Sequence, residues 1–214
     1  MINLIFSETK RSLVYLKELY KNKYKLNLVI IYSKKKSNVY NYVKERKLAK
    51  FLIRVKSDDI NSLNLKKKFK LSNKSINIVS TYPGEIVRDK YILKFQFLHC
   101  HPGNLPKFRG STIIYYTILL KNKICVSLFK IQKEIDSGEI VFKKFFDYPK
   151  KIIEIEKNFD HQIRAKTLIS YLKQRKKIKF KKSKKKYLPY YIIHPVLRAL
   201  VHHKTYFNKS ASSL

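Results

Sequence analysis

The chain has 214 residues, of which 44% are hydrophobic and 14% aromatic, enough for one domain with a sizeable core. No run of about eighteen apolar residues occurs, so the sequence predicts no membrane span. The first residues resemble a strand and lack the features of a signal peptide. With only two cysteines, a disulfide framework is not expected, and the predicted location is a reducing cytoplasm.

The net charge of +35 is extreme and, taken alone, indicates a polyanionic partner such as RNA. However, lysines are spread over every segment, Ile, Asn and Tyr are abundant, and Gly and Trp are scarce. This usage is typical of an AT-rich genome and a solvated surface. We favour that compositional interpretation and keep the polyanion-binding function as the alternative.

The first part of the chain alternates strand and helix patterns, which predicts a mostly parallel sheet with helices on both faces. No Gly-x-Gly-x-x-Gly follows the first strand, so a dinucleotide site of the usual kind is not supported. The predicted elements are a strand at 2–6, a helix at 12–20 with Ser12 as a possible N-cap, a strand at 26–32, a helix at 41–48, a strand at 51–55, a short helix from a cap at 57–59 to about residue 69, and a strand at 76–81.

The second part begins with an apolar, strand-like run and ends in a lysine-rich region. Residues 176–186 are nearly all lysine and form either an exposed loop, which we favour, or a basic patch. The predicted elements are a strand at 91–98, a helix at 111–121, strands at 124–131 and 140–146, a helix at 152–174, a short helix opened by Pro195, and a frayed tail at 208–214.

Residues 98–110 read Leu-His-Cys-His-Pro-Gly-Asn-Leu-Pro-Lys-Phe-Arg-Gly. This stretch holds two of the chain's 4 glycines and two of its 6 prolines. It lies between a predicted strand and a predicted helix, where α/β proteins place their functional groups.

The run His-Pro-Gly-Asn-Leu-Pro-Lys-Phe-Arg-Gly, followed from Ile135 by Ile-Asp-Ser-Gly-Glu-Ile, resembles the signature of the 10-formyltetrahydrofolate-dependent formyltransferases. In that family an Asn-x-His-Pro motif precedes an Asp-x-Gly motif by the interval that separates His101 from Asp136 here. The resemblance covers about residues 1–146. A weaker match over 163–165 and 190–195 is similar to a bacterial branch near amino-sugar formylation.

The resemblance implies a Rossmann-like α/β fold of the formyltransferase catalytic-domain type. Residues 1–150 would form that catalytic domain. Residues 151–214 would be a helical, Lys-rich extension packed on it, with no separate OB-type domain.

The resemblance also implies roles for three residues in formyl transfer, which passes through a tetrahedral intermediate. His101 is expected to be the acid–base group, and Asp136 to orient its imidazole or to deprotonate the amine through water. The family has Asn two residues before the catalytic histidine, as a donor to the oxyanion. His99 stands there, so it is the expected donor, provided that its donating nitrogen is protonated.

Two further sets of residues follow from the resemblance. Backbone groups of a loop after the fourth strand are expected, on position only, to hold the pterin ring of the folate; the alternative is an ordinary strand-exit turn. These residues are Gly84, Glu85, Ile86 and Val87. The residues expected to shape the turn after His101 are Pro102, Gly103, Pro106, Arg109 and Gly110.

A metal site made of His99, His101 and Asp136 is the less favoured alternative, because the flanking Pro-Gly-x-Leu-Pro matches a metal-free family. The predicted function is transfer of a formyl group from 10-formyltetrahydrofolate to an amine, with an amino sugar or sugar nucleotide as the favoured acceptor. Few residues follow the catalytic region, which argues against the full methionyl-tRNA enzyme with its C-terminal barrel. The alternatives are methionyl-tRNA formylation, formyltetrahydrofolate hydrolysis, and a non-catalytic relative that binds RNA or another polyanion.

Overall fold

A computed structural model describes residues 1–65, 71, 74–149, 153–175 and 187–210. Within these residues seven strands form one sheet. They are β1 (Ile2–Ser7), β2 (Leu26–Tyr32), β3 (Ala49–Val55), β4 (Ile76–Ser80), β5 (Leu98–His101), β6 (Ile124–Lys130) and β7 (Ile140–Phe146).

The helices of the described residues lie between and after these strands. They are α1 (Lys10–Lys21), α2 (Asn38–Glu45), α3 (Lys90–Lys94), α4 (Ile113–Leu119), α5 (Asp160–Gln174) and α6 (Pro195–Ser210). A 3₁₀ turn covers Ile60–Ser62, and a π-helical turn at Ile155–Phe159 leads into α5.

The strand order is β3-β2-β1-β4-β5-β6-β7. The pairs from β3 to β5 are parallel, whereas β6 and β7 are antiparallel to their neighbours. This confirms the predicted α/β class with a mostly parallel sheet. The carboxyl ends of β4 and β5 meet at one edge of the sheet, where ligands bind in folds of this kind.

Side chains that alternate along the central strands enter two separate hydrophobic clusters, one on each face of the sheet. Leu4 and Phe6 of β1 pack with α1 and α5, while Ile5 packs on the other face with Ile60 and α3. Both faces are therefore covered, as predicted, but the second face is covered mainly by short turns rather than long helices.

Two local predictions are wrong. Helix α1 starts at Lys10 and its N-cap is Thr9, whose side chain accepts a hydrogen bond from the Ser12 amide, so Ser12 is not the cap. The run 91–98 is not one strand, because the Asp89 side chain accepts from the Ile92 amide and starts a helix there. Local capping outweighs the apolar content of that run.

The ends of three further predictions changed or lie outside the described residues. Asp59 caps only a 3₁₀ turn, and residues 66–70 are outside the described part. The lysine run 176–186 is also outside it. The helix opened by Pro195 is confirmed, but it is longer than predicted and includes residues 208–210 of the expected tail, whose last residues, 211–214, lie outside the described part.

In the part of the chain that the structure describes, no helix has both the length and the apolar character needed to cross a bilayer.

Three asparagines form a hydrogen-bonded row across three neighbouring strands, β2, β1 and β4. The Asn27 amide donates to Asn3 at 2.9 Å, and the Asn3 amide donates to Asn77 at 2.9 Å. Asn77 in turn donates to the Phe95 carbonyl at 3.1 Å. Asn3 and Asn77 are buried, so each of these polar groups depends on its neighbour for a partner.

We expect Asn3→Ala to lower the free energy of unfolding by about 2–3 kcal/mol, because the change removes two hydrogen bonds and leaves the Asn77 acceptor unpaired. Asn27→Ala, at the half-buried end of the row, is the matched control and should cost about 1 kcal/mol. Guanidinium unfolding measures both values. Equal losses in the two variants would contradict this account of the row.

Candidate active site

The site is built on the turn that follows β5. His101 is the last residue of that strand and is buried, and its Nε2 lies 2.9 Å from the Phe108 carbonyl oxygen. This contact closes the turn on itself. A Cβ at Gly103 would stand 2.7 Å from His101 Nε2 and closer still to the Phe108 carbonyl. Only glycine therefore fits directly after the His-Pro pair.

Asp136 faces the other nitrogen of the same imidazole. Its Oδ2 lies 3.3 Å from His101 Nδ1 and accepts a hydrogen bond of 2.9 Å from the Gly110 amide. Asp136 has a left-handed backbone with φ of 48°, which is uncommon outside glycine and often found at functional sites. The structure thus brings together the two residues at the centre of the sequence prediction.

The partners of His101 fix where its proton lies. A carbonyl oxygen only accepts, so Nε2 carries a proton, and Nδ1 faces a carboxylate. Burial lowers the pKa of His101, and the Asp136 carboxylate opposes that shift only in part. In the neutral ring Nδ1 carries a lone pair that can accept a proton, and the Asp136 carboxylate stabilises the charged ring that results. The pair can therefore take up and release a proton.

His99 lies beside this pair with a different protonation pattern. Its Nδ1 lies 3.1 Å from the Val79 carbonyl oxygen and so carries the ring proton. Burial first, and then the Arg11 and Arg164 guanidinium groups, lower the pKa of His99 to about 3. The neutral ring leaves Nε2 as an acceptor. The predicted donation from His99 to an oxyanion thus needs a proton that this tautomer lacks, and that role stays a prediction.

A buried arginine binds the backbone of strand β5. Arg164 of α5 donates to the Cys100 carbonyl at 2.7 Å and to Asp160 at 2.8 Å. Burial alone would raise the pKa of Asp160, but the Arg164 charge outweighs it and the pKa of that carboxyl is lowered. Arg11 of α1 donates to Ser80 Oγ at 3.1 Å and to the Thr81 carbonyl. These two arginines fix the ends of β4 and β5.

The residues expected to shape the turn contact three parts of the chain. Arg109 donates to the Ile135 carbonyl, next to Asp136, and to the Tyr187 carbonyl at 3.2 Å. Gly110 forms a parallel bridge with Tyr190, and a Cβ there would stand 2.8 Å from the Tyr190 amide nitrogen. The two prolines differ: Pro102 is buried, and Pro106 follows a cis peptide bond.

The predicted folate loop is held by its own glutamate. The Glu85 carboxylate accepts from the Tyr32 hydroxyl at 2.6 Å, from the Tyr82 amide at 2.9 Å and from the Ile60 amide at 2.5 Å. The Ile86 carbonyl accepts from Asn61 at 3.0 Å. The Glu85 side chain is therefore committed to loop structure, and its amide donates to the Tyr82 carbonyl at 3.2 Å, so Glu85 could offer a ligand only its carbonyl.

Two residues of this loop could contact a ligand: Gly84 leaves free space, and Val87 has peptide groups without a partner in the described part of the chain. No atom lies within 4 Å of where a Cβ of Gly84 would stand. Among the described residues, neither the amide nor the carbonyl of Val87 has a hydrogen-bond partner in the chain. Unsatisfied peptide groups of this kind can pair with the edge of a heterocycle.

Sequence reasoning missed Ser127 of β6. Its hydroxyl donates to the Gly103 carbonyl at 2.6 Å and accepts from the Leu105 amide at 3.1 Å, which fixes the turn to the neighbouring strand. The available signal was a hydroxyl inside an otherwise apolar run. Arg164 belonged to the weaker sequence match but had no predicted role.

Among the described residues, no group of three or more His, Cys, Asp or Glu side chains is arranged to hold a metal ion. The two cysteines, Cys100 and Cys125, are buried free thiols.

Comparison with known proteins finds formyltransferases that are similar to this chain in sequence or in fold. No family model matches the chain. The methionyl-tRNA formyltransferase of Rickettsia bellii is 37% identical over 60 residues, which span 28% of this chain and 20% of that protein. The chain thus matches about a fifth of the length of that curated relative.

The solved structures agree over nearly the whole chain. A sugar N-formyltransferase from a Shewanella species has a TM-score of 0.63 at 15% identity, covering 96% of this chain and 87% of that one. The N-formyltransferase from Helicobacter canadensis, in complex with folinic acid and dTDP-3-aminofucose, has a TM-score of 0.59 at 18% identity, covering 89% and 71%. The predicted resemblance to formyltransferases and the predicted fold are therefore confirmed.

We expect the free energy of unfolding to fall below pH 6.5, because unfolded histidine binds a proton near that pH while His99 does so only at about 3. A lowered pKa in the folded state means that stability is complete above the unfolded pKa and is lost as the pH falls. Between about pH 7.5 and pH 5 the loss due to His99 should be about 2 kcal/mol, measured by denaturant unfolding.

His99→Asn should remove this part of the pH dependence. Phe145→Ser, at an exposed position of the edge strand β7, changes no titratable group and is the control, so it should keep the wild-type slope. A wild-type slope in His99→Asn would show that His99 is not the titrating group.

Proposed function

We propose that the protein transfers a formyl group from 10-formyltetrahydrofolate to an amine. The observation that carries the proposal is the His101–Asp136 pair, closed by the Gly110 amide, at the carboxyl edge of a sheet with the fold of formyltransferase catalytic domains. The sequence motifs support this chemistry, and the fold is compatible with it. Residues 1–150 would form the catalytic domain and residues 151–214 the extension that packs against it, in the cytoplasm.

The chain offers a place for the folate on this edge. The loop around Gly84 follows β4, the neighbour of β5, and His99 links the two strands through the Val79 carbonyl. The open space at Gly84 and the unpaired peptide groups of Val87 fit a flat ring that needs both donors and acceptors. In this proposal the backbone of Gly84, Glu85, Ile86 and Val87 binds the pterin.

The bound folate supplies a formyl carbon attached to a nitrogen that leaves as the amine is formylated. Asp136 is the more accessible member of the pair, since 14% of its side chain is exposed against 5% for His101. The carboxylate therefore meets the proton that the amine loses, and His101 Nδ1 shares that proton. The same proton is returned to the leaving nitrogen, so the pair ends the cycle unchanged.

The acceptor that we propose is an amino sugar or a sugar nucleotide. The Helicobacter relative was crystallised with a dTDP-amino sugar, and the Shewanella relative is a sugar N-formyltransferase. The curated relative from Rickettsia acts in methionyl-tRNA formylation by its name, so methionyl-tRNA is the competing acceptor. Water as the acceptor would make the protein a hydrolase.

We expect Asp136→Asn to lower turnover by about 10²–10⁴-fold, because the amide still accepts from Gly110 but takes no proton. His101→Gln should have a similar effect, since glutamine retains an N–H for the Phe108 carbonyl but does not titrate. Release of tetrahydrofolate in the presence of an amino-sugar nucleotide measures turnover. Titration calorimetry with a stable formyltetrahydrofolate analogue should show unchanged folate affinity in both variants.

The exposed His194→Asn variant is the control for these substitutions and should keep wild-type turnover. Parallel assays with methionyl-tRNA and with no amine separate the three acceptors. Retention of wild-type turnover by either Asp136→Asn or His101→Gln would overturn the proposed role of the pair.

A further inference from the structure

Residues 187–193 contact the candidate site through the bridge between Tyr190 and Gly110. Several side chains of this segment are apolar and exposed to solvent. Leu188, Tyr191 and Ile192 are 89%, 82% and 79% exposed. Together with three side chains of α6 they form what we call the C-terminal apolar surface. Its members are Leu188, Tyr191, Ile192, Val196, Leu197 and Leu200. Isolated exposed apolar residues are ordinary, but six within thirteen positions mark an interaction site.

The segment is anchored, so this exposure belongs to the fold. The Tyr190 ring stacks on Phe108 with centroids 5.8 Å apart, and the Ile193 amide donates to Thr112 at 2.9 Å. Ile193 and Val201 are buried beneath the helix. The side chains that face the protein are thus already packed, whereas their neighbours in the sequence are exposed to solvent.

Helix α6 presents apolar side chains outward as well as inward. Val196 and Leu200 are four positions apart and so lie on one side of the helix, with Leu197 next to them. A helix whose outer side is apolar and whose surroundings are basic is typical of a helix that lies in the plane of a membrane interface.

The charge around the surface is positive. Lys107 and Leu188 line the same cavity of about 270 Å³, and Arg198 is an exposed residue of α6. The sequence contains no Asp or Glu from His161 to its end, although the chain has 14 acidic residues. An apolar surface with a cationic border matches an anionic bilayer, whose headgroups attract basic residues and whose acyl region accepts aliphatic side chains.

Other occupants fit less well. A second copy of the chain would bring together two molecules of charge +35, which repel each other. RNA is bound by cations and by stacking on aromatic rings, whereas five of the six side chains here are aliphatic.

We infer that the C-terminal apolar surface binds the interface of an anionic phospholipid bilayer. The segment that completes the turn around Gly110 would then lie against the membrane. This inference is independent of the proposed formyl transfer, because none of its residues belongs to the proton-transfer pair.

Flotation of the full chain with vesicles tests the inference. The chain should float with phosphatidylcholine vesicles that contain about 30% phosphatidylglycerol and remain unbound with phosphatidylcholine alone. Leu188→Ser/Ile192→Ser should reduce the floating fraction about tenfold. Val196→Ser/Leu200→Ser is a second variant on the helix and should act in the same direction.

The matched control is Phe51→Ser/Phe145→Ser, two residues that are 52% and 53% exposed on the two edge strands, and it should float like the wild type. Thermal unfolding checks that every variant is folded. Unchanged flotation of both surface variants would mean adhesion by charge alone and would overturn the inference. So would equal binding to neutral vesicles, a wild-type dimer that the variants dissociate, or a tenfold loss of RNA binding without a loss of flotation.

Discussion

The backbone of Gly110 is the point on which the candidate site depends. Its amide fixes the Asp136 carboxylate, and its Cα packs against Tyr190, so three distant parts of the chain meet at one peptide unit. Arg109 strengthens the same junction through the Ile135 and Tyr187 carbonyls. The imidazole and the carboxylate are therefore placed by backbone packing. This makes the site sensitive to residues that have no chemistry of their own.

The departure at His99 shows how a buried imidazole differs from the amide that the family has there. An asparagine side chain always offers a donor, whereas a neutral histidine offers one donor and one acceptor. Here the Val79 carbonyl takes the donor, and burial, followed by the nearby Arg11 and Arg164 charges, lowers the pKa of the ring so that it stays uncharged. The ring N–H of His99 thus joins the ends of β4 and β5, and in this tautomer it is not available to a ligand.

Much of the fold followed from patterns that are local in sequence. The strands β2 and β7 were predicted with the same bounds as observed, because short runs rich in β-branched and aromatic residues between polar segments are typical of strands. The resemblance to the formyltransferase signature pointed to His101 and Asp136, and the structure brings the two side chains together. Contacts made by backbone carbonyls, such as that of Phe108 with His101, could not be predicted because any residue type can make them. The contact of the Ser127 hydroxyl with the Gly103 carbonyl was missed because a single serine in a strand has no distinctive pattern. The run 91–98 was wrong because one cap at Asp89 decided between helix and strand.

The asparagine row has a consequence for how the sheet forms. Asn3, Asn27 and Asn77 come from strands that lie far apart in the sequence, and each amide is satisfied only when its neighbours are in register. A slip of one residue in any of the three strands would turn a buried amide toward apolar side chains on the other face. A partly assembled sheet therefore carries an energetic penalty that the last strand removes, which favours concerted assembly. Amide protons of β1, β2 and β4 should accordingly exchange with solvent in one cooperative opening, as a single foldon.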